Sequence, residues 1–204
     1  MVTVTDKRKN IINMKKTRSY TSAILFLSVI MAISACNKAD SELDYGTTSI
    51  YMPQAVIRSG GVNNQYPVPT GTDSSTWNYA IDAAKSRIDI SMGAALSGPG
   101  SEAFSVEVRA NTDTIQQLLA AGVFNPATHV LMPSSMYTMP VKVDGVKGAR
   151  AGFFKLSVDY KALKSAAYAG KFLLLAVKFA NPTTYQLNSP LSSAIVVIDV
   201  MKIP

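Results

Sequence analysis

Cysteine, histidine and tryptophan each occur once in the 204 residues, as Cys36, His129 and Trp77. A single cysteine excludes a disulfide framework within the monomer and any cysteine-based metal site. A single histidine excludes a multi-histidine metal centre, and no HExxH, P-loop or nucleophile-elbow pattern is present. Charge is also scarce, at 16% of residues, and the formal +7 is unevenly placed. Residues 1–36 hold six basic residues against one acid, a net of +5; the remaining 14 basic and 12 acidic residues leave +2. A nearly neutral body gives no footprint for nucleic acid. Long apolar runs are missing too. Residues 20–35 form a stretch of 16 broken by Thr21, Ser22, Ser28 and Ser34, short of the roughly 20 apolar residues that span a bilayer. Repeats and low-complexity tracts are absent.

What the N-terminus does contain is a targeting signal. Met14 is read as the start, followed by the positive cluster Lys15, Lys16 and Arg18, which stays on the cytoplasmic side. Ala23 to Ala32 is the apolar region, and Ile33-Ser34-Ala35-Cys36 fits a lipobox. The small side chains of Ser34 and Ala35 let a peptidase reach the backbone, and the Cys36 thiol is the nucleophile that takes up lipid. Cleavage before Cys36 removes 35 residues and leaves 169 of the 204, enough for one domain with its own core. Asn37 follows the cysteine where an aspartate would signal inner-membrane retention. The next residues, through Asp44, are polar and acidic and read as a tether. The expected organisation is therefore a signal peptide over 1–36, a tether over 37–46 and a single domain over 47–204.

That domain reads as all-β. Short segments alternate apolar and polar residues and are bounded by turn residues. Ser49–Met52 opens it, a Gly- and Pro-rich stretch over 59–75 follows, and Trp77–Ile81 alternates with period two. Ile88, Ile90 and Met92 share one strand face, with Arg87, Asp89 and Ser91 on the other. Phe104, Val106 and Val108 repeat the pattern, as do Val141 and Val143 before an Asp144-Gly145 turn, and Phe154, Leu156 and Val158. The run from Lys171 to Phe179 is almost continuously apolar, and Ala194–Met201 closes the domain. One helix interrupts, with Asp113 as cap, Gln116 completing a capping box, an Ile115, Leu118 and Leu119 stripe, and Gly122 as its end. It is expected to close one end of an immunoglobulin-like antiparallel β-sandwich.

Chemistry is sparse. A glycosidase needs two carboxylates about 5–10 Å apart across a cleft. The candidates are Asp73, Asp82, Asp89, Glu102, Glu107, Asp113, Asp144, Asp159 and Asp199. Asp89, Glu107 and Asp159 fall on polar strand faces, Asp113 is taken by the cap and Asp144 by the turn. No catalytic residue, metal site or cofactor is read from this set. His129 and the methionines Met132, Met136 and Met139 read as packing residues. Sugar binding asks for less: an aromatic face with amides or hydroxyls beside it. Trp77 and Tyr79 project to one side of a strand, and Tyr66, Asn63, Asn64 and Gln65 lie just before. Tyr66, Trp77 and Tyr79 are the candidate glycan-binding residues. The competing role for Trp77 and Tyr79 is packing in the sandwich core.

The stretch Val130-Leu131-Met132-Pro133-Ser134-Ser135-Met136-Tyr137-Thr138-Met139-Pro140, after the capped helix, resembles the central motif of a Bacteroidetes lipoprotein family. That family carries the domain of unknown function 1735, an N-terminal β-sandwich found ahead of surface endo-β-N-acetylglucosaminidases and sugar-binding modules. Ile50–Ala55, Phe154–Leu163, Phe172–Asn181 and Tyr185-Gln186-Leu187-Asn188 resemble it in order, over residues 46–202. In multidomain members a catalytic or sugar-binding module follows, whereas this sequence stops at Pro204, so their enzyme activities are not carried over. The resemblance implies a non-catalytic lipoprotein, anchored in the outer membrane through lipid on Cys36 and facing the exterior. Its implied partners are polysaccharide or the surface proteins of glycan uptake. The alternative is a structural or adhesive subunit that pairs with other proteins through strand edges.

Overall fold

Alternation in the sequence resolves into two sheets. The computed structural model describes residues 46–56, 64–70 and 77–204. The expectations for Cys36, the tether, Asn63 and Asp73 lie outside the described residues.

The first sheet is built on β4 (Arg87–Ser97) and β9 (Ala151–Asp159), paired antiparallel along nearly their whole length. β1 (Ser49–Tyr51) and β3 (Tyr79–Asp82) also pair with β4. β11 (Gln186–Leu187) joins β1, and β7 (Tyr137–Thr138) joins β9. The second sheet centres on β10 (Phe172–Ala180) and β12 (Ser193–Asp199). β5 (Phe104–Ala110) and β6 (His129–Leu131) pair with β10, β8 (Lys142–Gly145) with β5, and β2 (Gln65–Val68) with β12. The result is the expected β-sandwich, with three parallel pairings added: β1 with β11, β6 with β10 and β2 with β12.

The main core lies between the sheets. Ile50, Met52, Ile88, Ile90, Leu156, Leu173 and Leu175 are fully buried there. The continuously apolar run of β10 has a simple cause: the strand is covered on both faces. Leu173, Leu175 and Val177 enter the main core, while Leu174 and Ala176 pack with Ile115 and Phe124 in a second cluster. Ile115 belongs to α1 (Thr112–Ala120), so the helix lies on the outer face of the second sheet rather than closing one end of the sandwich. A nine-residue helix is unstable alone, and burial of Ile115 supplies roughly 1.5–3 kcal/mol toward holding it.

Three local expectations are corrected. Asn111, not Asp113, occupies the N-cap, because its backbone N–H still donates to Ala176 at 2.8 Å and ends the β5 pairing there. Asp113 sits exposed in the first turn, where its charge suits the helix dipole. Gly122 does end the helix, at φ +72°, with Val123 N–H donating to Leu118 in a Schellman pattern. Asp144 and Gly145 are strand residues, not a turn. Gly145 is there for packing, since a Cβ would stand 2.1 Å from the Phe104 ring. The chain turns later, at Gly148 with φ +84°. Asp159 leaves the strand surface to cap α2 (Tyr160–Leu163), accepting from Ala162 N–H at 2.9 Å.

Candidate functional site

Tyr66, Trp77 and Tyr79 come together at the seam between the sheets. The Trp77 and Tyr79 rings stack with centroids 5.1 Å apart and planes 11° off parallel. Tyr79 is only 5% exposed and belongs to the core, with Trp77 packed half-buried against it. Tyr66 reaches from β2 across to β4, its hydroxyl donating to Ser91 O at 3.2 Å. Asn78 completes the seam: its amide donates to Pro67 O at 2.9 Å and its side-chain oxygen accepts from Thr70 N–H at 2.9 Å. Burial pushes the Tyr66 and Tyr79 hydroxyls above the ordinary tyrosine range. Tyr79 offers no ring face to solvent, so the flat platform expected from this pair is not formed. The strand edge turns Tyr79 inward opposite Ile90, which is itself a core position.

Apart from Asp113 and Asp159, the described candidate carboxylates are paired with cations. Asp89 is 4% exposed on β4. Ser157 donates to it at 2.6 Å, with Arg87 Nε at 3.1 Å and Lys155 Nζ at 3.3 Å. Burial alone would raise its pKa; the Ser157 hydroxyl, Lys155 and Arg87 together outweigh that and hold it below the ordinary value. Asp82 is lowered on the same balance by Lys85 and Arg87, and Glu107 and Asp144 are lowered by hydrogen bonds from their neighbours. Glu102 pairs with Lys147 at 3.1 Å and Asp199 with Lys202 at 3.4 Å. A general acid needs a raised pKa, and every carboxylate shift resolved among the described residues runs the other way. A shallow cleft of about 220 Å³ lies beside this cluster, between Lys85, Arg87, Ser135, Thr138, Ser157 and Asp159.

His129 is a packing residue, stacked on Phe172 at 4.7 Å with Phe124 at 5.2 Å. Met132 and Met136 are buried, and Met139 packs half-buried on the core.

A larger groove lies away from every residue the sequence nominates. A groove of about 570 Å³ runs along the edge of the first sheet, lined by Thr47, Thr48 and Ser49 on one side and Thr184–Asn188 on the other. The parallel β1–β11 pairing sets Ser49 opposite Gln186 and creates it. Its walls are fixed by bonds to the turn that joins β4 and β5. Thr48 Oγ1 accepts from Gly100 N–H at 2.8 Å, Tyr185 Oη from Glu102 N–H at 2.8 Å, and Thr184 Oγ1 donates to Ala103 O at 2.8 Å. Gly100 lets Thr48 and Tyr185 converge, since a Cβ there would meet their oxygens at 2.7 and 2.8 Å. Thr47 and Gln186 remain exposed. Hydroxyls, amides and one tyrosine ring in a volume of small-ligand size suit an oligohydroxyl ligand. The Tyr185–Asn188 run stands out in the sequence, but its partner segment lies more than 130 residues away.

Fold and groove define a two-sheet β-sandwich with a polar groove at one sheet edge. No protein-family model matches the sequence, and no curated protein does. Solved structures do match. A protein of unknown function from Bacteroides ovatus superposes with a TM-score of 0.52 at 11% identity, over 76% of this chain and 52% of that one. A multidomain protein including DUF1735, also from Bacteroides ovatus, gives 0.48 at 13% identity over 75% of this chain and 45% of that one. A candidate carbohydrate-binding protein of the same species gives 0.49 at 11% over 74% and 36%. At this identity the likeness to the first of these shows the fold alone. The chain spans about a third to a half of the solved chains it matches.

Proposed function

We propose that this chain is a non-catalytic glycan-binding lipoprotein, held on the outer membrane by lipid on Cys36, which takes sugar into the groove beside the paired strands β1 and β11. The observation that carries the reading is the groove itself: about 570 Å³, lined by hydroxyls, amides and Tyr185. Sugar hydroxyls need donors and acceptors of this kind, and a ring's C–H face needs an aromatic neighbour. The resemblance to a family found beside sugar-active modules supports the same ligand class. An acid–base pair for glycoside cleavage finds no support in the described carboxylates, whose resolved shifts all run downward. Adhesion through strand edges is less well supported. Among the described residues the strands β2, β3, β6, β7, β8 and β11 have at most four residues each, and short margins template pairing poorly; the longer β9 is paired on its outer side only at Ser157 and Val158.

The test is a glycan array probed with the detergent-solubilised full chain, alongside the double variant Thr47→Ala/Gln186→Ala. Both residues are exposed, so folding is unaffected. Binding of an oligosaccharide by the parent chain, weakened about tenfold or more in the double variant, supports the proposal. Equal binding by both proteins would remove the groove from the account.

A further inference from the structure

Strand β9 sends Phe154, Leu156 and Val158 into the core and Phe153, Lys155 and Ser157 to the outer face of the first sheet. Phe153 is 84% exposed, against 7% for its neighbour Phe154. It stands opposite Gly93 on β4, and a Cβ at Gly93 would come 3.2 Å from the Phe153 Cδ1 atom and 3.7 Å from Cε1. One edge of the ring thus leans over the glycine, and both ring faces are largely open to solvent. Gln54 accepts from the Gly93 N–H at 3.3 Å and brings an amide to the same place.

A second aromatic shares this face. Tyr51, between the fully buried Ile50 and Met52, points outward from β1 and is half-exposed. It stands opposite Ala95, which in turn stands opposite Ala151. Between the two aromatic residues the floor is thus Gly93, Ala95 and Ala151, all small. Two strand spacings and a two-residue offset separate the Tyr51 and Phe153 backbones by about 12 Å, the span of a disaccharide. The surroundings are polar: Ser91 and Lys155 form the next pair along the strands.

We infer that this face is a second sugar-binding surface, on which an extended polysaccharide chain lies across the strands with pyranose faces on Phe153 and Tyr51. A lone exposed apolar residue is ordinary. What points to sugar is a ring with its faces open to solvent, a second aromatic at disaccharide spacing, a floor without bulky side chains, and an amide at the edge. A protein partner would want a contiguous apolar patch of several hundred Å², and Lys155, Ser91 and Gln54 break up the apolar area here. The inference shares its ligand class with the proposed function but not its site.

The experiment measures retention of the full chain on insoluble cellulose, chitin, xylan and mannan, beside solution titration with short oligosaccharides. Three proteins are compared: the parent, Phe153→Ser and Phe153→Trp. Retention of the parent on at least one polysaccharide, a drop of tenfold or more in Phe153→Ser, and recovery in Phe153→Trp are expected. All three should stay folded, with only a small shift in melting temperature for Phe153→Ser, because the side chain is exposed and loses one cross-strand contact. The oligosaccharide binding that Thr47→Ala/Gln186→Ala weakens should persist in Phe153→Ser, since the groove is lined by other residues. Unaltered retention in Phe153→Ser, no recovery in Phe153→Trp, or no retention of the parent on any polysaccharide overturns the inference. In each of those outcomes the titration still reports on the groove separately.

Discussion

Asp89 is the charged side chain that the described sandwich buries, and its environment makes a prediction about acid. Its carboxylate accepts from Ser157 and pairs with Arg87 and Lys155, so ionisation is favoured in the folded chain. A carboxyl whose native pKa is depressed contributes stability above its unfolded pKa, and loses it as pH falls through the native one. Asp89→Asn should therefore lower stability at pH 7 by roughly 1–3 kcal/mol. Thermal melts between pH 7 and pH 3 should fall less steeply in the variant than in the parent. Equal slopes would mean that the ion cluster adds nothing. Alternation along β4 correctly puts Asp89 on the polar face with Arg87 and Ser91. Its burial was not legible, because Lys155 and Ser157 arrive from a strand more than 60 residues away. Tyr79 shows the same limit from the other side. Its period-two spacing from Trp77 is right, but only the pairing with Ile90 shows that this face turns inward.

At the level of elements, the strands that alternate were readable and the helix was readable in kind. β4, β5, β9, β10 and β12 bury their apolar residues much as their patterns require. Direction was not readable, because alternation looks the same in parallel and antiparallel pairs; the β1–β11 groove depends on that missing information. The helix cap slid back two residues from Asp113 to Asn111, since the β5 pairing determines where the helix can start. Two variants test how these elements are held. Ile115→Ala removes the fully buried contact between α1 and β10 and should cost about 2–4 kcal/mol by denaturant titration. Gly152→Ala would bring a Cβ 2.3 Å from the Asp144 carbonyl oxygen, where the two sheets meet through β8 and β9. Backbone cannot rotate aside like a side chain, so a loss of roughly 1–3 kcal/mol is expected. A neutral result at Gly152 would mean that β8 and β9 can separate there without cost.

For the whole molecule, the proposed lipid anchor is tested at Cys36 alone. Cys36→Ala should abolish incorporation of radiolabelled palmitate and move the protein from the membrane to the soluble fraction. Persistent labelling or membrane retention would contradict the lipid anchor. The sugar itself decides the rest. The most direct measurement is calorimetric titration of the full chain with the oligosaccharide that leads a glycan array, repeated with Thr47→Ala/Gln186→Ala. The account predicts saturable binding in the parent and an affinity at least tenfold weaker in the double variant at an unchanged melting temperature. Saturable binding of identical affinity in both, or no binding to any glycan on the array, would contradict it.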